Sequence, residues 1–351
     1  MANLSYSEET DKKNIQKLRS LLLELPPYCK DFFRGIEPNT QSRTRIAYAY
    51  DLNVFFTFLM NSNPSAQKFG EIKNIPIEFL DQLQPVDIEE YMEYLKYRDE
   101  DGKEIFNKDE GILRKISSLR SFYNYFYRTS RIDNNPTQRI LMPKLHEKPI
   151  IRLDIDEVAS MIDQAESGEN LTDMQKRFHE KTKVRDVAIL TLLLGTGIRV
   201  SECVGLNIND VDFVNDGLRV HRKGGKESTV YFGDEVEKAL KEYMEQRRHV
   251  IAADGSEEAL FLSLQNKRAS VRSIENLVKK YAKIVTPLKK ITPHKLRSTY
   301  GTSLYRETGD IYLVADVLGH KDVNTTKKHY AAIEDERRRS ARNKVTLRDK
   351  N

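Results

Sequence analysis

Residues 187–202 read VAILTLLLGTGIRVSE: an apolar run from Val187 to Leu194, broken only by Thr191, then two glycines, then Arg199 and Glu202. The run is far shorter than the ~20 residues of a membrane-spanning helix, so it reads as the buried helix of a globular domain. The motif Thr196-Gly-Ile-Arg-Val-Ser-Glu202 follows this helix. Downstream, Gly217–Lys223 and Lys226–Phe232 are β-prone runs joined by Gly224-Gly225, a hairpin signal. Thr292-Pro293 then starts a helix, with proline at its first position. His294 and Arg297 share one face of that helix at i,i+3. Leu318-Gly319-His320 closes another apolar helix, and Tyr330 follows ten positions later in Lys-Lys-His-Tyr.

Upstream the pattern is helical throughout. Ile15, Leu18, Leu22 and Leu25 have helical spacing before Pro26-Pro27 ends it. Arg43–Met60 carries an i,i+4 row of Ile46, Tyr50, Val54 and Phe58, widened by Phe55 and Leu59. Val86–Tyr97, with Asp87 as its expected cap, carries Ile88, Tyr91, Met92 and Leu95, and Asp99–Gly111 reads as polar turns. Ile112–Tyr127 puts Ile116, Leu119, Tyr123 and Phe126 on one face, with Arg114, Lys115 and Arg120 among them. Three prolines between 136 and 149 mark a linker. The expected fold is therefore mainly α with a small β-sheet.

The chain has 351 residues, a length that favours about two domains. It is 39% hydrophobic and 32% charged, with mean hydropathy −0.62, which supplies cores and argues against a membrane protein. The first residues, MANLSYSEETDKKN, lack a basic segment followed by an apolar one, so no secretion signal is expected. Two cysteines, Cys29 and Cys203, form no disulfide framework; a reducing, cytoplasmic location fits. Net charge is +5, compatible with nucleic acid without requiring it. The positive charge clusters in the second half: 222–226 (RKGGK), 267–272 (KRASVR), 279–283 (KKYAK) and 289–297 (KKITPHKLR). Walker A, HExxH, CxxC and GxSxG patterns are all absent, so no nucleotide, zinc or serine-hydrolase chemistry is expected and no cofactor is assigned.

Two arginines and two histidines, if they converge, make a pocket for a phosphodiester whose charge grows in the transition state. A lysine on a hairpin can protonate a leaving alkoxide. A tyrosine can be the nucleophile, although only about 0.1% of a phenol with an ordinary pKa near ~10 is ionised at pH 7. A phosphotyrosyl ester conserves the energy of the broken backbone bond, so religation needs neither ATP nor metal.

These motifs resemble the tyrosine recombinase (phage integrase) family, Xer-like members included, over roughly residues 40–345. The resemblance implies an N-terminal helical core-binding (SAM-like) domain and a mixed α/β catalytic domain. Residues 1–34 would be an N-terminal extension, 35–142 the core-binding domain, 143–150 the linker, 151–333 the catalytic domain and 334–351 a tail exchanged between protomers. It implies that Arg199 and Arg297 clamp the scissile phosphate, Glu202 supports Arg199, and His294 pairs with Arg297. Lys223 would be the general acid, preferred to Lys226 on the same turn. His320 would contact the phosphate and Tyr330 would attack it, giving a 3′-phosphotyrosyl intermediate. The family's usual interval between this histidine and the tyrosine is one residue shorter; His329 stands at that place, and Tyr330 is the only tyrosine in the window. The implied partners are duplex DNA with an inverted-repeat core site, three further copies in a tetramer, and a DNA translocase or directionality factor. The implied role is chromosome-dimer resolution or integration and excision of a mobile element. Rival readings are a type IB topoisomerase-like nicking-closing enzyme, a non-catalytic sequence-specific DNA-binding protein, and a metal-dependent nuclease, the last disfavoured by the lack of an acidic cluster with ligand spacing.

Overall fold

The computed structural model describes residues 5–100, 102–145, 150–222, 227–320 and 323. The chain divides into two compact units, residues 1–148 and 149–351. No helix among the described residues is long and apolar enough to cross a membrane.

The first unit contains α1 (Tyr6–Leu21), α2 (Cys29–Ile36), α3 (Ser42–Ser62), α4 (Pro64–Gln67), α5 (Ile77–Gln82), α6 (Pro85–Lys96) and α7 (Asp109–Arg128). Ser5 caps α1 reciprocally with Glu8, the two satisfying each other's backbone N–H. The core is rich in aromatic rings: Phe32, Phe56, Phe122 and Phe126 are fully buried, with ring centroids 5.0–6.2 Å apart in edge-on pairs. Leu18 and Leu22 belong to this same core, so the N-terminal helix is integral to the unit.

Three details depart from the sequence reading. On α3 the deepest face is Ala49, Leu52, Phe55, Phe56 and Leu59, whereas Tyr50 is 44% exposed with the Lys17 ammonium over its ring. Apolar residues crowd so much of this helix that the i,i+4 row could not single out its buried side. On α6 the cap is Gln84, whose N–H donates to the Asp87 carboxylate at 2.7 Å. The stretch expected to be turns contains a hairpin, β1 (Tyr97–Glu100) with β2 (Lys103–Phe106), turning through Gly102 at φ +77°. Its strands lack an apolar alternation, so the signal was weak.

The cations of α7 serve the unit's own structure. Arg114 donates to the buried Asp51 carboxylate at 2.6 Å, and Lys115 lies 3.7 Å from it. Burial pushes the Asp51 carboxyl up while Arg114 and Lys115 pull it down. Arg120 donates to the carbonyls of Thr137 and Ile140, fastening the start of the proline-rich segment to α7.

The second unit contains α8 (Ile155–Ser167), α9 (Asp173–Thr196), α10 (Val200–Gly205), α11 (Asp234–Arg248), α12 (Val271–Val285), α13 (Pro293–Thr308) and α14 (Ile311–Leu318). It also has a three-stranded antiparallel sheet, β3 (Val211–Asp212), β4 (Gly217–His221) and β5 (Glu227–Tyr231), in that order. Helix α9 is central and packs on α8, α11 and α13. Ala188–Leu194 is buried throughout, as an all-round apolar helix must be. Buried Asp186 on α9 accepts from Arg185 at 2.8 Å, Lys280 at 2.8 Å and the Tyr281 hydroxyl at 3.1 Å, tying α9 to α12.

Several cations of the C-terminal basic runs are also structural. Arg268 donates to the carbonyls of Val204 and Leu206 and to Asn207. Lys280 pairs with Asp186, and Lys289 bridges Asp154 and Glu157. Lys267, Lys279, Lys283 and Lys290 remain exposed.

Candidate active site

Helix α9 ends in Gly197, at φ +62°. A side chain there would meet Tyr300 and Leu318 as well as an unfavourable backbone, so glycine is required twice over. Two residues on, Arg199 is the N-cap of α10. The Glu202 carboxylate accepts from the Arg199 backbone N–H at 2.8 Å and from its guanidinium at 2.7 Å. Glu202 is almost fully buried, whereas the Arg199 side chain is 37% exposed. A buried carboxylate thus aims a half-exposed guanidinium.

Helix α14 supplies the opposite wall. It ends in Gly319 at φ +61°, and the His320 N–H reaches back to the Ala315 carbonyl at 2.8 Å, a Schellman closure that fixes the backbone of His320. The last carbonyls of a helix need donors from elsewhere. Arg297, buried on α13, donates to the Leu318 carbonyl and, at 2.7 Å, to the Gly197 carbonyl. Arg199 donates to the Gly319 carbonyl at 3.2 Å. The two guanidinia therefore sit on consecutive carbonyls directly before half-buried His320. Arg199 with Glu202, Arg297 and His320 come together from three distant parts of the chain.

His294 lies exposed in the first turn of α13, one turn before Arg297. Pro293 opens that helix, and the Thr292 side chain does not cap it. The expected hairpin forms as β4–β5, with His221 opposite Glu227. Lys223, Lys226, Tyr330 and the 334–351 tail lie outside the described residues. Cys203, next to Glu202, is fully buried, and burial pushes its thiol far up, which leaves it unable to act as a nucleophile. Among the described residues no His, Cys, Asp and Glu side chains cluster as a metal site.

The sequence reading missed Arg222. It donates to the Val317 carbonyl at 2.9 Å and, more weakly, to that of Asp316. Its only sequence signal was membership of the 222–226 basic run.

The Phage integrase family pattern matches residues 152–337, which include every one of these residues. The chain belongs to the phage integrase family. A tyrosine recombinase XerC of Caldanaerobacter subterraneus subsp. tengcongensis is 35% identical over 337 residues, covering 93% of this chain and 88% of the relative. The recombinase fold also appears in two solved structures. One is the XerH site-specific recombinase bound to palindromic difH substrate (TM-score 0.63, 17% identity, 86% of this chain and 80% of that one). The other is the Tn1549 transposon integrase in complex with transposon right end DNA (TM-score 0.62, 22% identity, 90% and 99%). This phage integrase family member is a Xer-like tyrosine recombinase, a site-specific DNA strand-exchange enzyme.

Proposed function

We propose that this recombinase cuts and rejoins duplex DNA with Arg199 and Arg297 clamping the scissile phosphate and Tyr330 attacking it. The observation that carries the reading is the pair of guanidinia on the Leu318 and Gly319 carbonyls beside His320. Peptide dipoles fix a guanidinium in position without cancelling its charge, and Arg199 keeps part of its surface open to a ligand. The Tyr330 oxygen forms a bond to phosphorus as the bond to the 5′ oxygen breaks. The phenolic proton leaves to solvent, and Lys223 donates a proton to the departing 5′ oxygen. The reverse step, on a 5′ hydroxyl from another duplex, completes exchange without ATP or a metal. His320 and His294 donate to the phosphate, the latter from the positive end of α13. Glu202 is the positioning residue for Arg199.

The assembly we propose is a homotetramer on an inverted-repeat core site in the cytoplasm, serving chromosome-dimer resolution or the movement of a mobile element, with a DNA translocase or directionality factor as accessory. Phosphate contacts should dominate affinity, so binding falls steeply with salt.

Covalent capture tests the chemistry. Wild type and Tyr330→Phe are incubated with fragments of the source genome in EDTA, denatured with SDS, and protein-linked DNA is sequenced. Adducts are expected for wild type and none for Tyr330→Phe, and the attached sequence identifies the core site. Equal adducts in both would overturn tyrosine attack. Relaxation of supercoils by a monomer, with no joint molecules, would make the enzyme a topoisomerase instead.

A further inference from the structure

The end of α14 is held by three arginines, and the third has no place in the proposed chemistry. Arg297 takes the Leu318 carbonyl, Arg199 the Gly319 carbonyl, and Arg222 the carbonyls of Val317 and Asp316. With the N–H groups of Gly319 and His320 bonded to Asp316 and Ala315, every carbonyl from 315 to 319 has a donor. Arg222 comes from a different element. It is the first residue past the last ladder pair of β4–β5, His221 with Glu227. Its guanidinium lies over the α-carbon of Gly319, where any Cβ would run into it, and its Nε is shielded from water. It is thus a fixed link between the root of the hairpin and the corner that delivers His320.

We propose that Arg222 is a positioning residue that locks the hairpin root onto the end of α14 and thereby sets the reach of the next residue, Lys223, to the leaving 5′ oxygen. Three facts carry this. The ladder fixes the backbone up to His221 on one side. The double carbonyl contact and the packing on Gly319 fix the side chain of Arg222. Lys223 follows Arg222 directly in the sequence, so it departs from an anchored neighbour. The same carbonyl contacts brace the helix end bearing His320. A lysine at 222 would offer a point charge in place of a planar fork and could not reproduce both contacts. The proposal rests on the reading of Lys223 as general acid.

The test uses the full chain and nicked duplexes carrying the core site recovered by covalent capture. One duplex has an ordinary scissile phosphodiester, the other a bridging sulfur in place of the 5′ oxygen. A thiolate leaving group, with a pKa near ~8.5, needs no proton donor, whereas an alkoxide is about as basic as hydroxide, near ~15.7. General acid catalysis contributes roughly 10²–10⁴-fold. Arg222→Ala is expected to slow cleavage of the oxygen substrate by about 10²-fold, to cleave the sulfur substrate nearly as fast as wild type, and to bind the duplex as wild type does in gel shift. Arg222→Lys should recover only part of the loss. Equal slowing of Arg222→Ala on both substrates, or no slowing on either, overturns the proposal. Lys223→Ala is the control. If it is rescued by sulfur and Arg222→Ala is not, the Arg222 proposal alone falls. If Lys223→Ala is not rescued, the general-acid reading falls and the proposal with it.

Discussion

Asp51 in the first unit and the end of α14 in the second each gather several cationic side chains, and they do so by different means. At Asp51 the partners meet a carboxylate: Arg114 donates to both of its oxygens, Lys115 stands 3.7 Å away, and the Ser118 hydroxyl adds a bond. Charge meets charge, and the result ties α3 to α7. At α14 three guanidinia are held by backbone carbonyls, with Glu202 supporting one of them. A carbonyl dipole orients a guanidinium and leaves its formal charge in place. Cationic residues packed near a core are therefore not equivalent: the charge of Arg114 is met by a carboxylate, whereas at the end of α14 the guanidinia are oriented by carbonyl dipoles, and Arg199, which also meets Glu202, stays half exposed.

Arg297→Lys puts this contrast to its most severe test. A lysine keeps the charge but cannot span the Gly197 and Leu318 carbonyls. Loss of one preorganised donor to a developing oxyanion costs about 10²–10³-fold in rate, so adduct formation in single turnover should fall by that much. Cleavage within about threefold of wild type would mean that Arg297 is another structural tie like Arg114, since lost positioning should cost far more than that.

Asp51→Asn makes the converse case. Removing the carboxylate leaves Lys115 in a mostly buried place without its counter-charge and near the Arg98 and Arg114 cations, and breaking a buried pair costs about 3–5 kcal/mol. Arg114 is half exposed and can rehydrate, so about 3 kcal/mol is expected here. Urea unfolding followed by far-UV circular dichroism measures it, since the chain has no tryptophan to report by fluorescence. The rate of adduct formation per folded molecule should stay unchanged. A large loss of rate with intact stability would place Asp51 on the functional side of the comparison.

The smallest effect belongs to the surface tie between Lys289 and Glu157, 2.6 Å apart. Burial is the largest single influence and raises the Glu157 carboxyl, but the Lys289 bond and charge and the Asp154 N–H together outweigh it, so the group lies below the usual carboxylate range. The bond to Glu157 in turn raises Lys289. A depressed carboxyl stabilises above its unfolded pKa, about 4.3, and loses that contribution as pH falls through its folded value. A raised lysine stabilises below its unfolded pKa, about 10.4, and loses the contribution above it. Lys289→Met should therefore cost no more than about 1 kcal/mol near pH 7, with the difference from wild type disappearing as acid protonates Glu157. A difference that persists at low pH would show packing rather than charge at work.

Much of the candidate site was legible because its residues stand at short, fixed intervals on recognisable elements. Arg199 and Glu202 form the cap of one helix, His294 and Arg297 share the first turns of another, and His320 follows a glycine that closes a third. Each is a local relation that spacing can encode. The buried faces of α6, α7 and α9 were legible for the same reason. The deepest side of α3 was not, because crowded apolar residues leave the choice to whichever neighbours pack there. The hairpin β1–β2 was hidden by its polar composition. The basic runs misled in part: Arg268, Lys280 and Lys289 look alike in sequence to Lys267, Lys279 and Lys290, yet the first three are engaged by carbonyls and carboxylates far away in the chain.

The helical character, the small sheet and the family follow from the amino-acid sequence alone, because periodicity, glycine stops and motif spacing act over a few residues. Which cations are engaged by the protein's own carbonyls and carboxylates is settled by the folded structure. That choice depends on the acceptor each guanidinium finds. The acceptors that matter here, the carbonyls of Gly197, Val317, Leu318 and Gly319, are backbone atoms that every residue carries. No side-chain pattern announces them until α9, α13, α14 and the β4–β5 hairpin are folded against one another.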